Sequence, residues 1–228
     1  MHSLVLQNKL STLDIEERIL QDIRTINPEN PAKYILDLIK PISIEKIDQN
    51  IYDCSACGLC NKVLPNGDID SPVLVIGEYP KPNQEPYEDI LNEYFIGVLE
   101  SLQVKYDRLY YCNCILCQPA NGKLPSKAEL SACYENHIMN LIFCLQPKCI
   151  LLLGNVASRM YLGGTLQSVR GEWNYINSIP TIATYHPDYF VQMQGIKNQD
   201  ILDEEYNHFA NDLNTLFEYV KSLGYILK

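Results

Sequence analysis

Basic charge is in short supply in this chain. Its 228 residues carry 18 Lys and Arg against 28 Asp and Glu, a formal net charge of −10. That balance argues against a protein that coats nucleic acid through diffuse charge, because polyanion binders gain affinity when Lys and Arg neutralise phosphates. An acidic chain needs a local basic face to hold DNA. Long apolar runs are missing as well. No stretch approaches the roughly 18 residues of a membrane span. Met1 to Glu17 lacks the basic start and apolar block of a secretion signal, so the chain is expected in the cytoplasm. There is no internal repeat and no low-complexity segment. The length suits one α/β domain with a sizeable core, plus some extra.

The extra lies at the front. Asp14 to Ile26 and Pro31 to Ile39 carry apolar residues at helical spacing, punctuated by Pro28, Pro31 and Pro41, which predicts an N-terminal helical extension over residues 1–50. Cys54 to Asp70 has no clear period and reads as a loop. From Ser71 onward strands and helices alternate. Strands are predicted at Val73 to Ile76, Leu109 to Cys114, Ile150 to Leu153 and Ile182 to Tyr185. Helices are predicted at Asp89 to Leu102, Ser126 to Leu145, Val156 to Leu162 and Ile201 to Leu223. All-apolar strands between helices predict a three-layer α/β/α sandwich around a mainly parallel four-stranded sheet. Sites in such folds gather at the carboxyl ends of the strands, here Gly77-Glu78, Asn113, Gly154 and His186.

Cysteine is plentiful: nine in all. In a cytoplasmic chain clustered thiols point to metal or catalysis rather than to disulfides. Cys54 and Cys57 form a C-x-x-C pair, Cys117 follows the second strand, and Cys133 lies in the helix after it. Four thiolates from two distant segments suit a tetrahedral zinc or a [4Fe–4S] cluster, and spacing does not separate the two. Cys60, Cys112, Cys114, Cys144 and Cys149 are expected in the core.

An ordered set of motifs runs through the same segments: Cys54-Ser-Ala-Cys57-Gly-Leu59, Gly77-Glu78-Tyr79-Pro80-Lys81, Pro86-Tyr87, Tyr110-Tyr-Cys-Asn113-Cys-Ile-Leu-Cys117-Gln-Pro119, Pro147 to Ala157, Val169-Arg-Gly-Glu-Trp173, and Tyr185-His186-Pro187-Asp-Tyr189. With these in place, from Cys54 to about Val220, the chain resembles the family 4 uracil-DNA glycosylases, the iron–sulfur branch of that superfamily. The resemblance implies excision of uracil from DNA by base flipping and hydrolysis of the N-glycosidic bond. It implies a [4Fe–4S] cluster on Cys54, Cys57, Cys117 and Cys133. Glu78 and His186 become the expected catalytic residues. Glu78 would position water or substrate, and His186 would donate to uracil O2, where charge builds in the leaving anion. Gly77, Tyr79, Tyr87 and Asn113 become the expected substrate-binding residues, with Tyr87 stacking on the base. The Asn113 amide can accept from N3–H and donate to O4.

Lys81, Lys123, Lys127 and Arg170 are the expected DNA contacts, and Phe190 is a candidate wedge. The chain departs from the family at Lys81, which replaces a glycine, and at Gln84-Glu85, where paired acids usually stand. It departs again at Tyr87, in place of Phe, and at Gly122, in place of Asn. Phe190-Val191-Gln192 ends a loop that elsewhere carries a DNA-contacting Arg. DNA is thus the expected partner of a monomer, with residues 1–50 available to a protein partner. The altered motifs and acidic balance suit a second reading, a catalytically weak subunit that binds DNA or a partner.

Overall fold

The computed structural model describes residues 43–119 and 123–228. The helices expected over 14–26 and 31–39 lie outside them, as does Gly122. In chain order the elements are α1 (Ile44–Asp53), β1 (Cys60–Lys62), β2 (Asn66–Gly67), β3 (Val73–Gly77), α2 (Glu93–Ser101), β4 (Tyr110–Asn113) and β5 (Cys117–Gln118). They continue with α3 (Lys127–Cys133), a π-helical turn (Tyr134–Ile138), α4 (Met139–Leu145), β6 (Cys149–Leu153), α5 (Gly154–Leu162) and α6 (Leu166–Val169). The chain closes with β7 (Trp173–Ile176), β8 (Ile179–Thr184), α7 (Pro187–Met193) and α8 (Gln199–Ser222).

The four strands legible in the sequence form the parallel centre of the sheet, in the order β4-β3-β6-β8. Two antiparallel edges, β2 beside β4 and β7 beside β8, extend it to six. All five residues of β3 and all five of β6 are buried, which is why these strands read as unbroken apolar runs instead of alternating ones. Their side chains divide between two cores. Val73, Val75, Leu151 and Leu153 pack with Phe95 of α2 and with Phe209, Leu213 and Phe217 of α8. Leu74, Ile76, Ile150 and Leu152 pack on the other face with Ile47 and Ile51 of α1, Leu141 of α4 and Ala157 of α5.

The stretch from Cys54 to Asp70, expected to be a loop, holds two short strands. β1 pairs antiparallel with β5, placing Lys62 opposite Cys117, and Val63 N–H donates to the Leu116 carbonyl at 2.8 Å. Such brief strands carry too few residues to show a period. Cys112, Cys114 and Cys149 are core residues as expected, whereas Cys144 is half-buried and Cys60 is exposed on β1, at the rim of its two-stranded sheet. Among the described residues no helix is long and apolar enough to cross a membrane.

The helix expected from Asp89 starts four residues later. Asn92 is the N-cap, its Oδ1 accepting from Tyr94 N–H at 3.0 Å and Phe95 N–H at 3.3 Å. A capping side chain of this kind satisfies amide groups that have no partner inside the helix. The turn before it is set by Tyr87, whose φ of 65° is unusual for a residue with a side chain. Ile90 and Leu91 N–H both donate to the Tyr87 carbonyl. This turn frees Asp89 from the helix surface and buries it.

Candidate active site and cysteine cavity

At the carboxyl ends of the parallel strands three buried polar atoms have no hydrogen-bond partner among the described residues: Asn113 Oδ1 at the end of β4, His186 Nε2 after β8, and Asp89 Oδ2 from the turn before α2. An unpaired polar atom out of water costs about 1–3 kcal/mol, so three at one end of a sheet call for an explanation. Asp89 Oδ2 lies 3.5 Å from His186 Nε2. Gly77 makes room for Asn113, since a Cβ there would collide with Asn113 Oδ1 and press on Ile90.

One hydrogen bond and the burial of the ring set the state of His186. It is the N-cap of α7, with Nδ1 accepting from Asp188 N–H at 3.3 Å. Burial, with a smaller contribution from the Lys81 charge, pushes its pKa down to about 3. The ring is therefore neutral near pH 7 and carries its proton on Nε2, aimed as a donor toward the unpartnered cluster. Asp89 is shifted the other way. Burial raises its carboxyl from 3.8 to about 6, with Lys81 opposing the shift and Asp188 adding to it.

Outside this cluster opens a polar cavity of about 650 Å³ whose lining includes Glu78, Tyr79, Lys81, Arg159, Arg170 and His186. Glu78 Oε1 accepts from Val156 N–H at 2.9 Å, so the carboxylate caps the N-terminus of α5, where the helix dipole favours negative charge. A Cβ at Gly154 would strike that carboxylate, which accounts for the glycine at this strand-to-helix junction. Burial still raises the Glu78 carboxyl above its ordinary value, the Val156 contact opposing it. The Lys81 ammonium sits 4.2 Å from the Tyr79 ring centre.

Several expected roles meet a different geometry. Phe190 is fully buried in the larger core, 5.4 Å from the rings of Tyr94, Tyr189 and Phe209. It is a packing residue and has no free face with which to wedge DNA. Arg170 lines the cavity but is committed to Asp212, at 2.8 and 3.1 Å, and Asp212 in turn accepts from Thr184 at 2.6 Å. Its charge is spent inside the protein, clamping α8 to β8. Tyr87 is buried, its hydroxyl donating to the Leu64 carbonyl at 2.9 Å and its ring 5.9 Å from that of Tyr111. Lys123 and Lys127 are exposed, and neither lines the cavity. Sequence reasoning missed Asp89, hidden as the apparent start of a helix, and Arg159, which a reading of α5 as a basic helix after a strand-end glycine could have flagged.

A second, smaller cavity is lined from the face of the sheet that packs on α1. Cys54, Cys57, Cys117 and Cys133 all line it, together with Ile51, Leu116 and His137. The β1–β5 pairing explains the meeting, because it ties the segment after the C-x-x-C pair to the strand that bears Cys117. Burial raises the Cys133 thiol to about 12 and the Cys117 thiol to about 11, the latter with help from neighbouring Cys57. Among the described residues no three His, Cys, Asp or Glu side chains are drawn tightly enough to grip one ion. All four thiols line one small cavity, of about 10 Å³.

The model of the uracil DNA glycosylase superfamily matches residues 64–210, and the chain belongs to that superfamily. Among individual proteins it is similar to the type-4 uracil-DNA glycosylase of Thermotoga maritima, with 24% identity over 71% of this chain and 90% of the relative. It is likewise similar to the type-4 uracil-DNA glycosylases of Sulfurisphaera tokodaii, with 26% identity over 72% of this chain and 82% of that one, and of Archaeoglobus fulgidus, with 24% identity over 64% and 81%.

Proposed function

We propose that the chain is a uracil-DNA glycosylase that takes a uracil out of the DNA stack and hydrolyses its N-glycosidic bond. The observation that carries this reading is the trio of buried, unpartnered atoms on Asn113, His186 and Asp89. A uracil ring offers complementary groups: N3–H for the Asn113 carbonyl, O4 for its amide N–H, and O2 for the His186 Nε2–H. As the glycosidic bond breaks, its electron pair leaves with the base and charge gathers on O2. A neutral donor already aimed at that oxygen stabilises the leaving anion without reorganisation. Tyr87 contributes by shape, its buried ring and Leu64-bound hydroxyl holding the turn that presents Asp89.

The incoming water needs an acceptor for its proton. Of the carboxylates here, Asp188 is engaged by Gln192 and Glu205 by Lys197, which leaves Glu78 and Asp89. One oxygen of Glu78 is already engaged by Val156 N–H, whereas Asp89 Oδ2 is unpartnered, which favours Asp89. DNA phosphates would meet Lys81 and Arg159 at the cavity mouth. The setting is the cytoplasm, and the acting unit a monomer.

The four-cysteine cavity is assigned to a [4Fe–4S] cluster on its donor set, since such a cluster is bound by four thiolates. Cys54, Cys57, Cys117 and Cys133 would hold it. When bound, the cluster supplies a covalent staple between the segment before β1 and the β5–α3 region. None of these cysteines lines the cavity that holds Glu78 and His186.

Incubation with oligonucleotides that each carry one uracil should release free uracil and leave an abasic site, with thymine-containing controls intact. No release from single- or double-stranded uracil DNA overturns the enzymatic reading. The carboxylate beside His186 and the burial of Phe190 favour the second reading in that event, a binding subunit without catalysis.

A further inference from the structure

His137 lies in the π-helical turn between α3 and α4, four residues after Cys133. It is buried, 6% exposed, and neither ring nitrogen has a hydrogen-bond partner among the described residues. It lines the same cavity as the four cysteines. π-Helical turns are rare and are frequent at functional sites, because the extra residue re-aims side chains that an α-helix would stack elsewhere. An imidazole always carries at least one N–H, and burying both nitrogens without a partner is unfavourable. An aliphatic side chain would fill the space at no such cost.

We infer that His137 is a hydrogen-bond donor to the sulfur atoms of the group held by Cys54, Cys57, Cys117 and Cys133. The inference rests on the cluster assignment and deepens it. Four thiolates already complete the ligand set, so the imidazole is a positioning residue and no ligand. Backbone donors reach two of the sulfurs: Leu116 N–H approaches Cys133 Sγ at 3.4 Å and Ala56 N–H approaches Cys54 Sγ at 3.5 Å. His137 adds a side-chain donor from the helical side. N–H groups aimed at cluster sulfur withdraw electron density, tune the potential and slow loss of the group.

The test uses the full chain purified without oxygen, as parent, His137→Leu and His137→Gln. Iron and sulfide content are measured first, then resonance Raman spectra of the Fe–S stretches in H2O and D2O, then the rate of iron loss to a chelator. All three proteins should carry the cluster. The parent should show a deuterium shift that shrinks in His137→Leu and is partly kept in His137→Gln, whose amide still donates. Iron loss should quicken by about tenfold or more in His137→Leu, the usual size of a lost outer-shell partner. A parent that contains cluster, with spectra and iron loss unchanged in both variants, overturns the role of His137 alone. A parent without iron sinks the cluster assignment and the inference with it. Should His137→Leu fail to fold, the parent and His137→Gln spectra decide: no deuterium shift in the parent overturns the proposal.

Discussion

The cysteine cavity and the strand-end cluster solve opposite problems with the same kind of material. On the one hand four cysteines and a histidine line one small cavity, and their meeting depends on a short strand pairing and a helix. On the other, an asparagine, a histidine and an aspartate converge because parallel strands end together. Burial pushes Cys117 and Cys133 toward the uncharged form, so only their thiolate form would call for a positively charged guest. The strand-end trio is held by protein alone: the Asp188 N–H, the Asn92 cap and the glycine at 77 fix it before any substrate arrives. On the proposed cluster assignment the first region would owe its stability to its occupant, while the second is preorganised for one.

The sharpest way to break that contrast is at the thiols. Cys117→Ser or Cys57→Ser should abolish iron binding and lower the melting temperature steeply, because ligand binding and folding are coupled. Thermal unfolding monitored beside iron content reads this directly. Retained stability without iron would mean that the cysteine side is as preorganised as the other.

Next come the trio's own variants. Asn113→Ala and His186→Ala should each lower the rate of uracil release by about 10²–10³, the usual loss for one well-placed donor, with iron content untouched. Single-turnover kinetics measure this. Full activity in His186→Ala removes it as the anion-stabilising donor.

Asp89 sharpens the comparison further. Its folded carboxyl takes up a proton more readily than an unfolded one, at about 6 against 3.8. Protonation therefore favours the folded state. The stability tied to this group is fully present below about pH 4 and is lost as pH rises toward 6. Asp89→Asn should stabilise the protein at pH 7.5 by roughly 2–3 kcal/mol and leave it unchanged near pH 4, in denaturant titrations at both pH values. The same variant should lose activity far more than Glu78→Gln does. The reverse order would return the water to Glu78.

The smallest effect belongs to Tyr87→Phe. It removes only the hydroxyl bond to Leu64, so it should cost about 1 kcal/mol of stability and little rate.

Much of this was legible in the sequence, for physical reasons that differ by residue. The four central strands are buried on both faces, and their unbroken apolar runs announce it. Asn113 and His186 could be placed because a strand end is a position that sequence reveals. Phe190 could not, because an aromatic on a short helix looks the same whether it faces solvent or five other rings. Arg170 read as a free cation because its partner, Asp212, lies 42 residues away. Asp89 was hidden by Asn92: two residues of capping chemistry compete for the start of one helix, and only the winner's geometry shows which carboxylate turns inward. The edge strands β2 and β7 carry too little apolar pattern to stand out.

The cap on α7 has one more consequence. The amide of Asp188 uses the lone pair of His186 Nδ1, so the opening of a helix also decides which nitrogen bears the proton. Adding a proton to Nδ1 would remove that lone pair and unseat the first turn. The donor's charge state and the local backbone are thus a single switch, and an acid pulse that charges the ring should fray α7, visible as faster amide exchange at Asp188 and Tyr189.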